Sequence, residues 1–101
     1  MNLETKIINA LKTVYDPEIP VNIYDLGLIY RIDVGENNEV TIQMTLTSPN
    51  CPEAEILPLK AQSAALSADE SICHVKIDLV WDPPWSKDSM TDDAKALLGL
   101  I

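Results

Sequence analysis

The stretch Leu28-Ile29-Tyr30-Arg31-Ile32-Asp33-Val34-Gly35-Glu36-Asn37-Asn38-Glu39-Val40-Thr41-Ile42-Gln43-Met44-Thr45-Leu46-Thr47 decides the fold. Residues 28–34 are rich in β-branched and aromatic side chains, which suit a pleated surface. Residues 39–47 alternate: Val40, Ile42, Met44 and Leu46 fall on one face, and Thr41, Gln43, Thr45 and Thr47 on the other. The turn-forming run Gly35-Glu36-Asn37-Asn38 joins the two as a β-hairpin.

Upstream, Leu3, Ile7, Leu11 and Val14 recur at helical spacing among polar residues, predicting an amphipathic helix of about three turns. Pro17 and Pro20 end it and leave Asp16–Asn22 extended and stiff. Downstream, Cys51-Pro52 opens a second helix reaching about Leu66. Pro58 within it predicts a kink, or a restart with Pro58 in the first turn. Ile72–Val80 reads as a third strand, with Cys73, Val75, Ile77 and Leu79 on one face and His74, Lys76 and Asp78 on the other. Trp81-Asp82-Pro83-Pro84-Trp85 is irregular, its tryptophans read as core or lid, with an interaction surface as the alternative. Thr91 then caps a short last helix with Asp92 and Asp93 in its first turn and Gly99 past its end. The order α-β-β-α-β-α predicts one small α/β (α+β) domain over residues 1–101, a mixed three-stranded sheet with helices packed on it.

The chain has 101 residues, a usual length for one domain, and a formal net charge of −9. That charge opposes binding to phosphate backbones and anionic lipid surfaces, so neither nucleic acid nor a membrane is an expected partner. The longest apolar run, Ala96–Ile101, is far short of a spanning helix. No signal peptide is visible, so a cytoplasmic location with Cys51 and Cys73 reduced is the expectation. Two cysteines 22 positions apart exclude a disulfide scaffold and a zinc finger.

Cys51 is the sharpest chemical signal. At a helix start, free N–H groups and the helix dipole favour a thiolate, making it a nucleophile or metal ligand; a small buried hydrophobe is the alternative. Cys73, in phase with Val75, Ile77 and Leu79, reads as core and as a thiol that reacts only on unfolding. His74 points to the opposite face, so a Cys73–His74 chelate is excluded. Asp16 and Glu18 project from one side of the proline-braced stretch, and Asp25 follows closely. Such carboxylates can bind a metal, orient a partner's amides or do acid–base work, or be simply solvated. Thr45 and Thr47, on the polar face just before Cys51, can donate hydrogen bonds to the same place. With one histidine on the wrong face, a Cys/His nucleophile pair is not available, and no catalytic residue is assigned.

Four motifs together carry a resemblance: Asp16-Pro17-Glu18-Ile19-Pro20, Asp25-Leu26-Gly27-Leu28-Ile29, Met44 through Pro52, and Val80 through Thr91. In this order, over nearly the whole chain, they resemble the MIP18 family, formerly domain of unknown function 59. The resemblance implies a small α/β fold and a role in iron–sulfur protein maturation. It carries the family's reactive cysteine onto Cys51, its acids onto Asp16, Glu18 and Asp25, and its threonines onto Thr45 and Thr47. The cysteine-rich extension of phenylacetate-linked members does not follow Leu100-Ile101, which points to the Suf-type subgroup.

Physical chemistry limits what this implies. Iron–sulfur clusters are generally held by four thiolates, and the chain offers one plausible thiolate. A transient cluster or iron at Cys51 therefore requires ligands from a second chain or a client. The expectation is an adaptor or transfer protein for iron–sulfur clients and carrier or scaffold proteins, not an enzyme. A two-fold homodimer is the simplest way to bring two such thiolates together. A protein-interaction module without cluster chemistry, and a component of a phenylacetyl-CoA monooxygenase maturation system, are the alternatives.

Overall fold

The computed structural model describes residues 2–15, 21–46, 56–82 and 84–99. Among them the order is α1 (Leu3–Leu11), β1 (Ile29–Val34), β2 (Glu39–Met44), α2 (Ile56–Leu66), β3 (His74–Leu79), a 3-10 turn (Lys87–Ser89) and α3 (Asp92–Leu97). The sequence implied this architecture, a mixed α+β fold, apart from the 3-10 turn.

Helix α1 starts where Asn2 Oδ1 accepts the Thr5 N–H at 2.8 Å, satisfying a donor that the helix itself leaves free. It stops at Leu11, a turn short of the predicted span, because the chain turns there: Thr13 and Val14 donate back to Ala10 and Leu11. Pro58 stands third in the described α2, where its missing N–H costs nothing; the choice between a kink and a restart turns on residues 51–55, outside the described residues. Thr91 caps α3 as predicted, its hydroxyl accepting the Ala94 N–H, and Gly99 follows with φ +77°.

The sheet runs β1-β2-β3, antiparallel between β1 and β2 and parallel between β2 and β3. Asn38 closes the hairpin with φ +57°, a left-handed conformation that asparagine tolerates, and Gly35 N donates to Glu39 O at 2.7 Å. A register shift between Ile29 and Arg31 leaves Tyr30 as an extra residue in β1. Val40, Ile42 and Met44 are buried beneath α1 and α2 with Ile7, Leu11, Leu57, Ala61 and Ala65. Lys6 Nζ meets Asp69 Oδ2 at 2.5 Å and ties α1 to the turn after α2. That ammonium, with the backbone and hydroxyl of Ser71, holds the Asp69 carboxyl well below the usual carboxylate range.

Candidate functional site

Register places Ile29, Met44 and Leu79 side by side, so β1 begins where β2 and β3 finish. The connections leave the sheet at this end, and side chains after a strand's last hydrogen bond are free to serve a site there. Tyr15 and Asn22 form an isolated antiparallel bridge, and Ile23 N donates to Val14 O at 2.8 Å. The two flanks of segment 16–20 are thereby fastened together.

Asp25 sits in the turn that follows. Asn22 Oδ1 accepts the Asp25 N–H at 2.8 Å, and Asn22 Nδ2 donates to Asp25 Oδ2 at 2.9 Å. This reciprocal pair fixes the half-buried carboxylate within its own turn through Oδ2. Gly27, with φ +86°, completes the turn.

The chain beyond β3 returns across this same turn. Trp85 Nε1 donates to Leu26 O at 2.8 Å and Thr91 N donates to Asp25 O at 2.9 Å. Between them Ser89 packs so closely on Gly27 that a Cβ there would lie 2.2 Å from the Ser89 carbonyl oxygen. Of the two tryptophans, Trp85 packs against the core while Trp81 is exposed. Asp25 also borders an open groove of about 290 Å3 that includes Tyr15, Asn22, Asp93 and Leu97. Two carboxylates, Asp25 and Asp93, line it, so it suits donors or cations more than anions.

Thr45 lies at the same end, its N–H donating to Leu28 O at 2.8 Å. Periodicity assigned it to the polar face of the strand, and it is wholly buried. Strand β2 ends at Met44, so Thr45 lies beyond the ladder and alternation no longer sets its surroundings. The Thr45 hydroxyl finds no hydrogen-bond partner among the described residues. An unpaired buried hydroxyl is costly and is a feature to be explained.

Cys73 corrects a second expectation. It is exposed rather than core, and its thiol donates to Asn37 O at 3.3 Å. The strand begins only at His74, paired with Glu39. One step earlier the ladder would need Asn38, whose positive φ carries it out of the sheet. Cys73 therefore lies at the hairpin end, opposite Thr45.

Asp16, Glu18, Thr47 and Cys51 lie outside the described residues. Among the described residues, no group of three or more histidine, cysteine, aspartate or glutamate side chains is arranged to hold a metal ion. None of the helices among them is long and apolar enough to cross a membrane. Sequence reasoning missed the Asn22 partner of Asp25 and the clamp formed by Trp85, Ser89 and Thr91. The Asn22–Asp25 spacing of three, typical of side-chain-to-backbone caps, was the available signal for the first.

Residues 4–79 match the family model described as iron–sulfur cluster assembly protein. The chain is 46% identical over 101 residues to the Fe-S protein maturation auxiliary factor of Porphyromonas gingivalis, covering 100% of this chain and 95% of that one. It is 40% identical over 98 residues to the Fe-S protein maturation auxiliary factor YitW of Bacillus subtilis, covering 97% of this chain and 95% of the relative. The crystal structure of Domain of Unknown Function DUF59 from Bacillus anthracis superposes with TM-score 0.91 at 36% identity, over 98% of this chain and 93% of that one. With the motifs, the α-β-β-α-β-α order and a family match over three-quarters of its length in agreement, the chain belongs to the iron–sulfur cluster assembly protein family, of the domain of unknown function 59 (MIP18) type.

Proposed function

We propose that this chain is an iron–sulfur maturation factor, an adaptor or transfer protein through which a cluster, its cargo, reaches client proteins. The observation that carries the reading is end-to-end similarity: relatives named as maturation auxiliary factors align over 95% of their own length. Cys51 supplies one thiolate, and the remaining ligands come from a carrier, a scaffold or the client itself. Asp16, Glu18, Asp25, Thr45 and Thr47 shape the surface that receives the partner.

The geometry of Asp25 supports this role. A carboxylate already hydrogen-bonded to its own turn is held in place, which suits orientation of a partner's amide groups. The buried Thr45 hydroxyl supplies a polar group at the same end of the sheet. Adaptor work requires no general base, and the reading is therefore of a non-enzymatic protein. Its working place is the cytoplasm, where thiols stay reduced.

Complementation of a strain lacking this protein tests the reading. Cys51→Ser is expected to abolish support of an aconitase-type client while the variant melts like the parent. Cys73→Ser is expected to keep both, because Cys73 is exposed and remote from Thr45. Full client activity in a well-folded Cys51→Ser strain would reject the thiolate role, and the acidic surface around Asp25 would then be the working part.

A further inference from the structure

Among the described residues strand β3 is an edge of the sheet, and its outer side is well specified. Val80 N donates to Met44 O at 2.8 Å, so the even-numbered residues of β3 turn their backbone groups toward β2. Val75, Ile77 and Leu79 then turn theirs outward. Gln62 Nε2 reaching Val75 O at 2.7 Å from α2 agrees with this parity, and a carbonyl keeps a second lone pair.

The side chains along this edge are self-complementary. About a two-fold axis through Ile77, antiparallel pairing of two β3 strands sets Val75 opposite the partner's Leu79 and Lys76 opposite the partner's Asp78. The outward backbone groups fall in the hydrogen-bonded pairs. Lys76 and Asp78 fall in the non-hydrogen-bonded pairs, where facing side chains approach most closely. At present Lys76 Nζ is a loose 3.8 Å from Asp78 of its own strand, and both side chains are solvated. On the helix-covered face, Leu79 is 36% exposed; Leu59 and Leu66, which flank Gln62 at helical spacing, are 63% and 45% exposed.

Strand β1 is the other edge and carries the analogous Arg31-Ile32-Asp33. There, however, Arg31 Nε already holds Asp33 at 2.9 Å, and the extra residue Tyr30 breaks the regular edge. β3 pairs with β2 over six residues without a shift.

We propose that two copies of this chain join edge to edge through antiparallel β3 strands, forming a six-stranded sheet with Lys76 of each copy facing the partner's Asp78 and Leu59, Leu66 and Leu79 covered. This interface is independent of the maturation role: dimerisation and client support are read by different measurements.

Sedimentation of the full chain at about 0.15 M salt tests it, because a Debye length of about 8 Å screens the −9 charge of each chain at long range. The parent is expected to show a concentration-dependent species of twice 11.2 kDa. Lys76→Asp turns two symmetric attractions into repulsions and is expected to weaken the dimer at least tenfold. The swap Lys76→Asp with Asp78→Lys is expected to restore it. Both positions are solvated, and circular dichroism run beside the sedimentation confirms folding. In a Cys51→Ser, Cys73→Ser background, chains carrying Lys76→Cys mixed with chains carrying Asp78→Cys are expected to cross-link far more than either alone, since facing Cα atoms about 4.5 Å apart suit a disulfide. A parent that stays monomeric to near-millimolar concentration overturns the proposal. So does a dimer indifferent to the swap but dissolved by Arg31→Asp, which would assign the β1 edge instead.

Discussion

Replacing Gly27 by alanine tests whether the Asp25 turn and the C-terminal segment form one unit. At φ +86° an alanine is strained by roughly 1–2 kcal/mol. Its Cβ would also stand 2.2 Å from Ser89 O and 2.6 Å from Ser89 C, backbone atoms that cannot rotate aside. The 3-10 turn must shift, which disturbs the bonds on either side of it, Trp85 to Leu26 and Thr91 to Asp25. At about 0.5–1.5 kcal/mol for each bond, the total cost is about 2–5 kcal/mol, a large share of a typical domain's stability. Gly99 is the internal control: its φ is +77°, but nothing lies within 4 Å of the added Cβ, so only the strain of roughly 1–2 kcal/mol applies. Urea unfolding of both variants, followed by far-ultraviolet dichroism and tryptophan fluorescence, should therefore separate them by about 1–3 kcal/mol. In a melt that difference corresponds to roughly 4–8 °C per kcal/mol. Equal destabilisation of the two variants would refute the clamp and leave backbone strain as the whole effect.

Thr45→Val removes a buried hydroxyl that lacks a described partner, so the variant is expected to be more stable by about 1–2 kcal/mol in urea, yet to support iron–sulfur clients less well. A destabilised variant with full client support would contradict both parts. For Asp69, whose folded-state carboxyl is held below its ordinary range, the Lys6 pairing contributes fully above the unfolded value near 3.9 and is lost as pH falls below it. Denaturation midpoints measured downward from about pH 5 should fall more steeply for the parent than for Asp69→Asn, and parallel curves would remove Asp69 from the acid response.

The hairpin, the central strand and the cap at Thr91 were legible because each rests on local chemistry: alternation, a turn run and a hydroxyl before two acids. Cys73 was not, since alternation continues through it on paper while the real ladder stops where Asn38 adopts a positive φ. Thr45 shows a different limit. Period two gives the face a residue occupies within a strand, but β2 ends at Met44, and packing beyond the ladder, not alternation, sets whether Thr45 meets water. The clamp on Gly27 was illegible for the same reason, because close backbone approach leaves no pattern except the glycine itself. Of the candidate site, Asp25 and Thr45 have described surroundings; Asp16, Glu18, Thr47 and Cys51 rest on motif and resemblance.

The mixed pairing of β2 also sets an order of assembly. Its antiparallel neighbour β1 is reached across residues 35–38, whereas its parallel neighbour β3 arrives after residues 45–73. Closing the longer connection costs about 2 kcal/mol more in chain entropy, somewhat less once α2 has formed. The hairpin can therefore be made early, and docking of β3 is the late, non-local event on which the folding rate depends. Until it happens, Val40, Ile42 and Met44 belong to a strand with one unpaired edge. That interval, rather than the finished fold, is when the chain is most exposed to pairing with the wrong strand.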